Sequence, residues 1–426
     1  MKEVDLFSQH ELASGVILHH HRSKQWKKES LRIAFVGESD GDVAERSLGA
    51  YLFRHGHRRR RGMDRVSKYF QDLYGGGFSV RVSRTARHHL LDMRGMVVDG
   101  AFLPGKPNTF ESLVEHAGAM LHEPWFKQRN FERDLLELER TNLLRAIDGL
   151  VDNKAQFADQ RLTEEMFAGH PLAIPAYGRR DDVATAKFSA IVEALDRFAK
   201  EQPVLIYYVG SRSASAVKAI LKRHLQLKGR SALRLKAFKG PAIRNRPKTF
   251  REQQEISQSR LAMGFRLEGY KRSQDLYPAH LGDAIFGGSS SSKLFRDVRE
   301  KHSLAYSIHS AFEGGTGTLY VTAGTDSANL DRVTTLVKRH LKSMAAGKFQ
   351  DQDRATALAS IEHSLESSRD SAESMIGFHL GAQLSGRKNS HPAKVLRRYA
   401  SVKPENVANV FERFKLDTVF RLEPLA

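Results

Sequence analysis

The sequence predicts an α+β protein built from two tandem homologous domains, each an antiparallel sheet with helices packed on one face. Three observations carry this prediction. The succession strand, helix, glycine-bearing turn, helix, strand occurs at about 31–84 and again at about 260–310. Within those stretches apolar residues recur with period two where strands are expected and with helical spacing where helices are expected. Between the two halves lies Lys228–Lys248 (KGRSALRLKAFKGPAIRNRPK), a basic segment broken by Gly229, Gly240, Pro241 and Pro247, which has the composition of a linker. The expected division is a domain at 1–227, a linker at 228–248 and a second domain at 249–426.

In order, 15–21 (GVILHHH) and 31–37 (LRIAFVG) read as strands. Adjacent His19, His20 and His21 point to alternate faces of a strand and cannot all ligate one metal. A helix is expected at 43–55 and another at 63–74, where Val66, Tyr69, Phe70 and Leu73 share a side and Gly75–Gly77 end the run. Strands at 78–84 and 88–97 and a helix at 109–122 follow. A long helix is expected from about Gln128 to Val151, another up to Phe167, then a helix at 188–200, a strand at Val204–Val209 and a helix at 212–224. The second half gives strands at 253–257 and 260–267, a helix at 275–286 and a strand at 317–323. Helices at 327–344, 351–370, 372–384 and 404–413 and a last strand at Thr418–Leu422 complete it.

Composition narrows the function. The 426 residues are 40% apolar, enough for packed cores, and no run approaches the roughly 18 apolar residues that a membrane helix needs. The opening MKEVDLFSQHELASG has no apolar signal region, so a cytoplasmic, non-secreted protein is expected. The chain has no cysteine, which removes disulfides, thiolate catalysis and cysteine-ligated zinc. Its 68 Lys+Arg against 49 Asp+Glu leave a net charge of +19, a balance that favours acidic partners. The densest basic run, Arg54–Arg61 (RHGHRRRR), reads as a solvated or partner-facing loop, or alternatively as a polyanion contact; no nucleic-acid-binding motif accompanies it.

The most distinctive stretch is Phe286–Ser310, FGGSSSSKLFRDVREKHSLAYSIHS. Gly287 and Gly288 lead into four serines, Ser289–Ser292, suited to capping a helix. Leu294 and Val298 give the short helix its core side. After Lys301, alternation places Leu304, Tyr306 and Ile308 on one face of a strand, so on periodicity alone Tyr306 is a core residue. Arg299 near the helix end complements the helix dipole.

Taken together, this stretch resembles the C-terminal signature of the pitrilysin/insulinase (inverzincin) zinc metallopeptidases: Ser292, Leu294, Phe295, Arg299, Glu300, Lys301, Ser303, Leu304, Ala305, Tyr306 and Ser307 stand at its motif positions. The resemblance implies tandem α+β domains. It also implies that Arg299 and Tyr306, with Gly287, Gly288 and Ser289 beside them, contact a peptide substrate. YFQDLYGGGFSV (Tyr69–Val80), which lies opposite LFRDVREKHSLAYSI (Leu294–Ile308) in the internal repeat, and HPLAIPAYGRRDDVA (His170–Ala184) are similar to family positions in the first half.

The hydrolytic motif is missing. An active member carries His-x-x-Glu-His on a helix, two imidazoles for zinc and a carboxylate beside the bound water. Neither this motif nor its reverse occurs in the sequence. The corresponding positions fall near Ser47, Ala50 and Tyr51. His55 and His57 lie close by, expected on different faces and without a carboxylate. Glu132 and Glu139 are expected as surface carboxylates where a distal zinc ligand would lie. The resemblance therefore implies a non-catalytic, substrate-binding subunit with no cofactor of its own, working with a homologous zinc-bearing partner. The alternatives are a scaffold or polyanion-binding protein, and a peptidase with an unrecognised metal site among its 19 histidines.

Overall fold

The computed structural model describes residues 5–39, 41–85, 87–129, 131–235, 238–387 and 391–425. The chain forms two compact units, each discontinuous in sequence. The first comprises residues 1–148, 174–236 and 371–381; the second comprises 149–173, 237–370 and 382–426. The sequence reading divides the chain into continuous stretches, and these excursions are not part of it.

The sheet of the first unit contains β1 (Ser8–Ala13), β2 (Val16–Arg22), β3 (Lys28–Glu38), β4 (Gly77–Thr85), β5 (His88–Val98) and β6 (Val204–Gly210), in the order β1-β2-β6-β3-β5-β4. Neighbours are antiparallel except β2 and β6, which run parallel. Alternation along β6 shows how the two faces are used. Tyr208 packs edge-on against Phe110 of the helix Thr109–His122, ring centroids 4.9 Å apart. That side holds the large core, with Ile33, Phe35, Leu48, Leu113, Leu195 and Leu221 among its buried members. Tyr207 points the other way, its hydroxyl 3.1 Å from His379 Nδ1.

His379 belongs to the helix Ala372–Leu384, which adds cover on the second face of this sheet. The same helix brings Glu373, which accepts from Arg94 at 2.7 Å and from Arg81 at 3.3 Å. The three histidines of β2 alternate as expected: His19 stacks on Tyr207 and His20 on Tyr208.

The second unit repeats the plan with β7 (Lys248–Gln254), β8 (Ser259–Leu267), β9 (Ser307–Glu313), β10 (Thr318–Thr325) and β11 (Phe414–Pro424), in the order β9-β10-β8-β11-β7. Here β11 and β7 are the parallel pair. The helices Arg272–Phe286 and Pro404–Glu412 pack on one face, with Phe286 against Phe411 at 5.5 Å. The helix Lys154–Met166 covers the other face, where Leu162 joins Ala262, Phe420 and Leu422 in a buried cluster. Both units are thus α+β as expected, and each gains one helix on the face that was not expected to carry any.

Four local differences stand out, two of them with plain causes. The expected long helix starts at Asp134 rather than Gln128, because Trp125–Lys127 forms a 3-10 turn in which the Gln128 N–H donates to the Trp125 carbonyl. Strand β1 and the helix Pro392–Ala400 are additional. The last strand extends over Phe414–Pro424, its length set by pairing to two neighbours. Among the described residues no helix is long and apolar enough to cross a membrane.

Candidate functional site

The glycine turn sets the geometry of the second unit's motif. The helix Arg272–Phe286 ends there, and the N–H groups of Gly287 and Gly288 both donate to the Asp283 carbonyl, at 2.9 and 2.8 Å. The Gly287 carbonyl accepts from the Ser310 N–H at 3.0 Å, which ties the helix end to strand β9. A Cβ on Gly287 would lie 2.5 Å from Ser310 Oγ and 3.0 Å from Leu294 Cδ1. We expect Gly287→Ala to destabilise the second unit by about 1–3 kcal/mol through overpacking, read as a shift in the urea midpoint followed by circular dichroism.

The Asp283 carboxylate lies at the same place, accepting from the Ser310 hydroxyl and from the Phe312 N–H at 3.1 Å. Burial pushes its pKa up to about 6 against those two hydrogen bonds. Ser289 donates to the Ala284 carbonyl at 3.3 Å, so this serine closes the turn. Gly287, Gly288 and Ser289 are therefore the frame on which the next segment is mounted.

That segment, Phe295–Lys301, is a short π-helix. Leu294 and Val298 are fully buried, and Ser292 Oγ accepts from the Phe295 N–H at 3.4 Å. Arg299 is on the outside, its guanidinium 4.6 Å from the Phe295 ring centroid; among the described residues no carboxylate pairs with it. Asp297 accepts from Arg339 at 2.8 Å and from His340 at 2.7 Å, both on the helix Leu330–Ala345. π-helical turns have poor intrinsic hydrogen bonding and persist where their surroundings hold them. Here that support is the Asp297 pair and the salt link of Arg296 to Asp353.

Tyr306 departs from its expected place. The strand begins only at Ser307, and Ser303 turns the chain with φ +49°. Leu304 and Ala305 are both buried while Tyr306 is 57% exposed. Its N–H donates to the Gly324 carbonyl at 2.8 Å, and its hydroxyl donates to Asp326 Oδ1 at 3.2 Å. The Asp326 carboxylate holds the phenol pKa above its ordinary value. Tyr306 is thus an oriented surface phenol, not a core residue. It sits at the start of β9, an edge strand that pairs only with β10 among the described residues.

The first unit shows how the basic run is held. Arg54 lies over Tyr51 at 3.7 Å, Arg60 over Tyr69 at 3.4 Å and Arg61 over Trp125 at 4.5 Å. Arg59 pairs with Glu115 at 3.0 Å and Arg58 with Glu123 at 3.8 Å. No aromatic residue interleaves with the run in sequence, yet the preceding helix supplies Tyr51 and the fold brings Tyr69 and Trp125 from other segments. His57 and His116 are buried beside Arg60, with pKa values lowered to about 4 and about 3, chiefly by burial.

The positions where zinc ligands would stand do not fit a metal. Ser47 donates to the Val43 carbonyl at 2.8 Å, Ala50 is buried and apolar, and Tyr51 lies under Arg54. Glu139 is not a surface carboxylate. It is buried, and Oε1 accepts from His55 Nε2 at 2.7 Å while Oε2 accepts from Asn142 at 3.2 Å. Burial works to raise the Glu139 pKa; these hydrogen bonds outweigh it and leave the carboxylate below its usual range. His55 therefore does have a carboxylate beside it, 84 residues away in sequence. Glu132 is exposed, as expected. Among the described residues no group of three or more His, Asp or Glu could hold a metal ion.

The glycine turn, the π-helix and the outward-facing Arg299 and Tyr306, together with zinc-ligand positions filled by Ser47, Ala50 and Tyr51, mark a metallopeptidase-like chain without a zinc motif. Residues 196–361 match the family model described as the Peptidase M16 inactive domain. The chain is similar to a probable inactive metalloprotease, YmfF, of Bacillus subtilis, 24% identical over 411 residues and 96% of each chain. It is also similar to an uncharacterized zinc protease, YmxG, of the same species, 22% identical over 88% of this chain and 91% of that one. In fold it resembles a conserved protein from Enterococcus faecalis, with a TM-score of 0.89 and 22% identity over 99% of each chain. A peptidase M16 inactive domain from Pseudomonas fluorescens gives a TM-score of 0.79 at 18% identity, over 99% and 98%. Over residues 196–361 the chain thus matches the M16 inactive domain, and over nearly its whole length it is similar to a probable inactive metalloprotease.

Proposed function

We propose that this chain is the non-catalytic, substrate-binding subunit of a two-subunit zinc peptidase acting on peptides in the cytoplasm. It carries no cofactor; zinc resides in a homologous partner subunit. Arg299 and Tyr306 clasp the peptide, and Gly287, Gly288 and Ser289 shape the turn that presents them. The observation that carries this reading is that Arg299 and Tyr306 both face outward at the entry to an open sheet edge, Tyr306 with its hydroxyl already oriented. Such donors stabilise a peptide carbonyl on which negative charge develops.

The test is reconstitution with a homologue from the same genome that bears His-x-x-Glu-His, scored on quenched-fluorescent peptides. We expect hydrolysis by the mixture and none by this chain alone. We also expect a loss of about tenfold in Arg299→Ala and in Tyr306→Phe, the size of one hydrogen bond to a charged oxygen at ~1.5 kcal/mol. Full activity in both variants removes the clasp. A scaffold or polyanion role for Arg54–Arg61 has less support, because three of its guanidinium groups lie on aromatic rings and two pair with carboxylates.

A further inference from the structure

We infer that the ligand of the Arg299–Tyr306 site is an acidic peptide, read by a cationic strip that continues from the π-helix onto the helix Leu330–Ala345. The inference rests on the peptide-binding reading and adds the chemistry of the bound segment. Across 293–301 and 330–348 the sequence carries Lys293, Arg296, Arg299, Lys301, Arg332, Lys338, Arg339, Lys342 and Lys348. Part of this charge is neutralised within the fold. Lys293 and Arg296 face Asp353, Arg339 binds Asp297, and the acid at the head of the helix, Asp331, is bonded to Arg421.

The remaining cations are Arg299, Lys301, Arg332, Lys338, Lys342 and Lys348. All six are exposed, and among the described residues none has a carboxylate partner. Glu300, Asp326, Asp331 and Asp351 are the exposed acids nearby in sequence, of which Asp326 accepts from the Tyr306 hydroxyl and Asp331 from Arg421. The bonds of Asp297 to Arg339 and His340 hold the two elements side by side. Arg299 lies two residues beyond Asp297, and Lys338 and Lys342 flank Arg339 and His340. A clasp bordered by this much unneutralised positive charge draws carboxylates and repels basic segments. The arrangement contrasts with the denser run Arg54–Arg61, whose charges are stacked or paired. The more conspicuous cluster in the sequence is thus the less available one in the fold.

The test uses the full chain and a fluorescein-labelled oligoglutamate, followed by fluorescence anisotropy, with an uncharged Gly-Ser peptide and duplex DNA alongside. We expect oligoglutamate to bind, to weaken as ionic strength rises, and to lose about tenfold in affinity in Lys338→Glu/Lys342→Glu, a change of four charges near the ligand. Equal binding of the Gly-Ser peptide, or an unchanged affinity in the double reversal, overturns the inference. Duplex DNA that competes equally, with the same loss in the reversal variant, also overturns it and makes the strip a general polyanion surface. Tyr306→Phe separates the two readings. Weakening only in the lysine variant removes the clasp and keeps the strip; weakening only in Tyr306→Phe removes the strip and keeps the clasp.

Discussion

Replacing His55 with alanine is expected to destabilise the first unit by about 3–5 kcal/mol, because it strands a buried, ionised carboxylate. Glu139 is 1% exposed, and without His55 its remaining side-chain donor among the described residues is Asn142. Both tryptophans of the chain, Trp26 and Trp125, lie in this unit, so their fluorescence through a urea titration isolates its unfolding. The paired change His55→Leu/Glu139→Leu is expected to restore most of the loss, since apolar residues of similar volume often replace both partners of a buried polar pair without cost. If the double variant is as unstable as His55→Ala, imidazole packing rather than the hydrogen bond to Glu139 holds these segments together.

Asp283→Asn is expected to remove a pH dependence worth about 3 kcal/mol, taking a rise of roughly two units at 1.36 kcal/mol each. The sign follows from linkage. A carboxyl whose folded pKa is raised favours the protonated form on folding. Its stabilising contribution is complete below the unfolded pKa near 3.8 and is lost as pH rises through about 6. The buried imidazoles of His57, His116, His19 and His280, whose pKa values are lowered, act in the opposite sense and lose stability on acidification. The measurement is therefore the difference between wild type and variant by circular dichroism in urea, taken from pH 4 to pH 8. That difference should move in favour of Asn as pH rises; a constant difference means Asp283 does not titrate in this window.

Much of the architecture was legible locally. The helices at 43–55, 63–74 and 109–122 and the strands around 31–37, 78–84, 88–97 and 204–209 follow from spacing that tertiary structure reinforces. Tyr306 was misplaced for a physical reason. Alternation holds only within extended chain, and the left-handed backbone at Ser303 together with the late start of β9 put the phenol outside the rule. The His55–Glu139 pair was invisible because it joins segments 84 residues apart, and no local periodicity encodes such a meeting. The aromatic platforms under Arg60 and Arg61 escaped notice likewise, since Tyr69 and Trp125 arrive from other segments. The glycine turn and a short helix after it are legible because their chemistry is written in consecutive residues; the π-helical form of that helix is not, since it depends on Asp297 and Arg296 pairing with other segments.

The discontinuous units have a consequence for how the protein comes into being. The first unit needs Glu373 and His379 against Arg81, Arg94 and Tyr207, and residues 371–381 belong to it. During synthesis, this unit stays incomplete until nearly the whole polypeptide has left the ribosome, so the usual order in which an amino-terminal domain folds first and alone does not apply. A nascent chain paused at the interdomain segment presents one face of an unfinished sheet, and is then a client for chaperones. Severing the gene at that segment yields two fragments, each short of a helix held by the other, whose rescue depends on being made together.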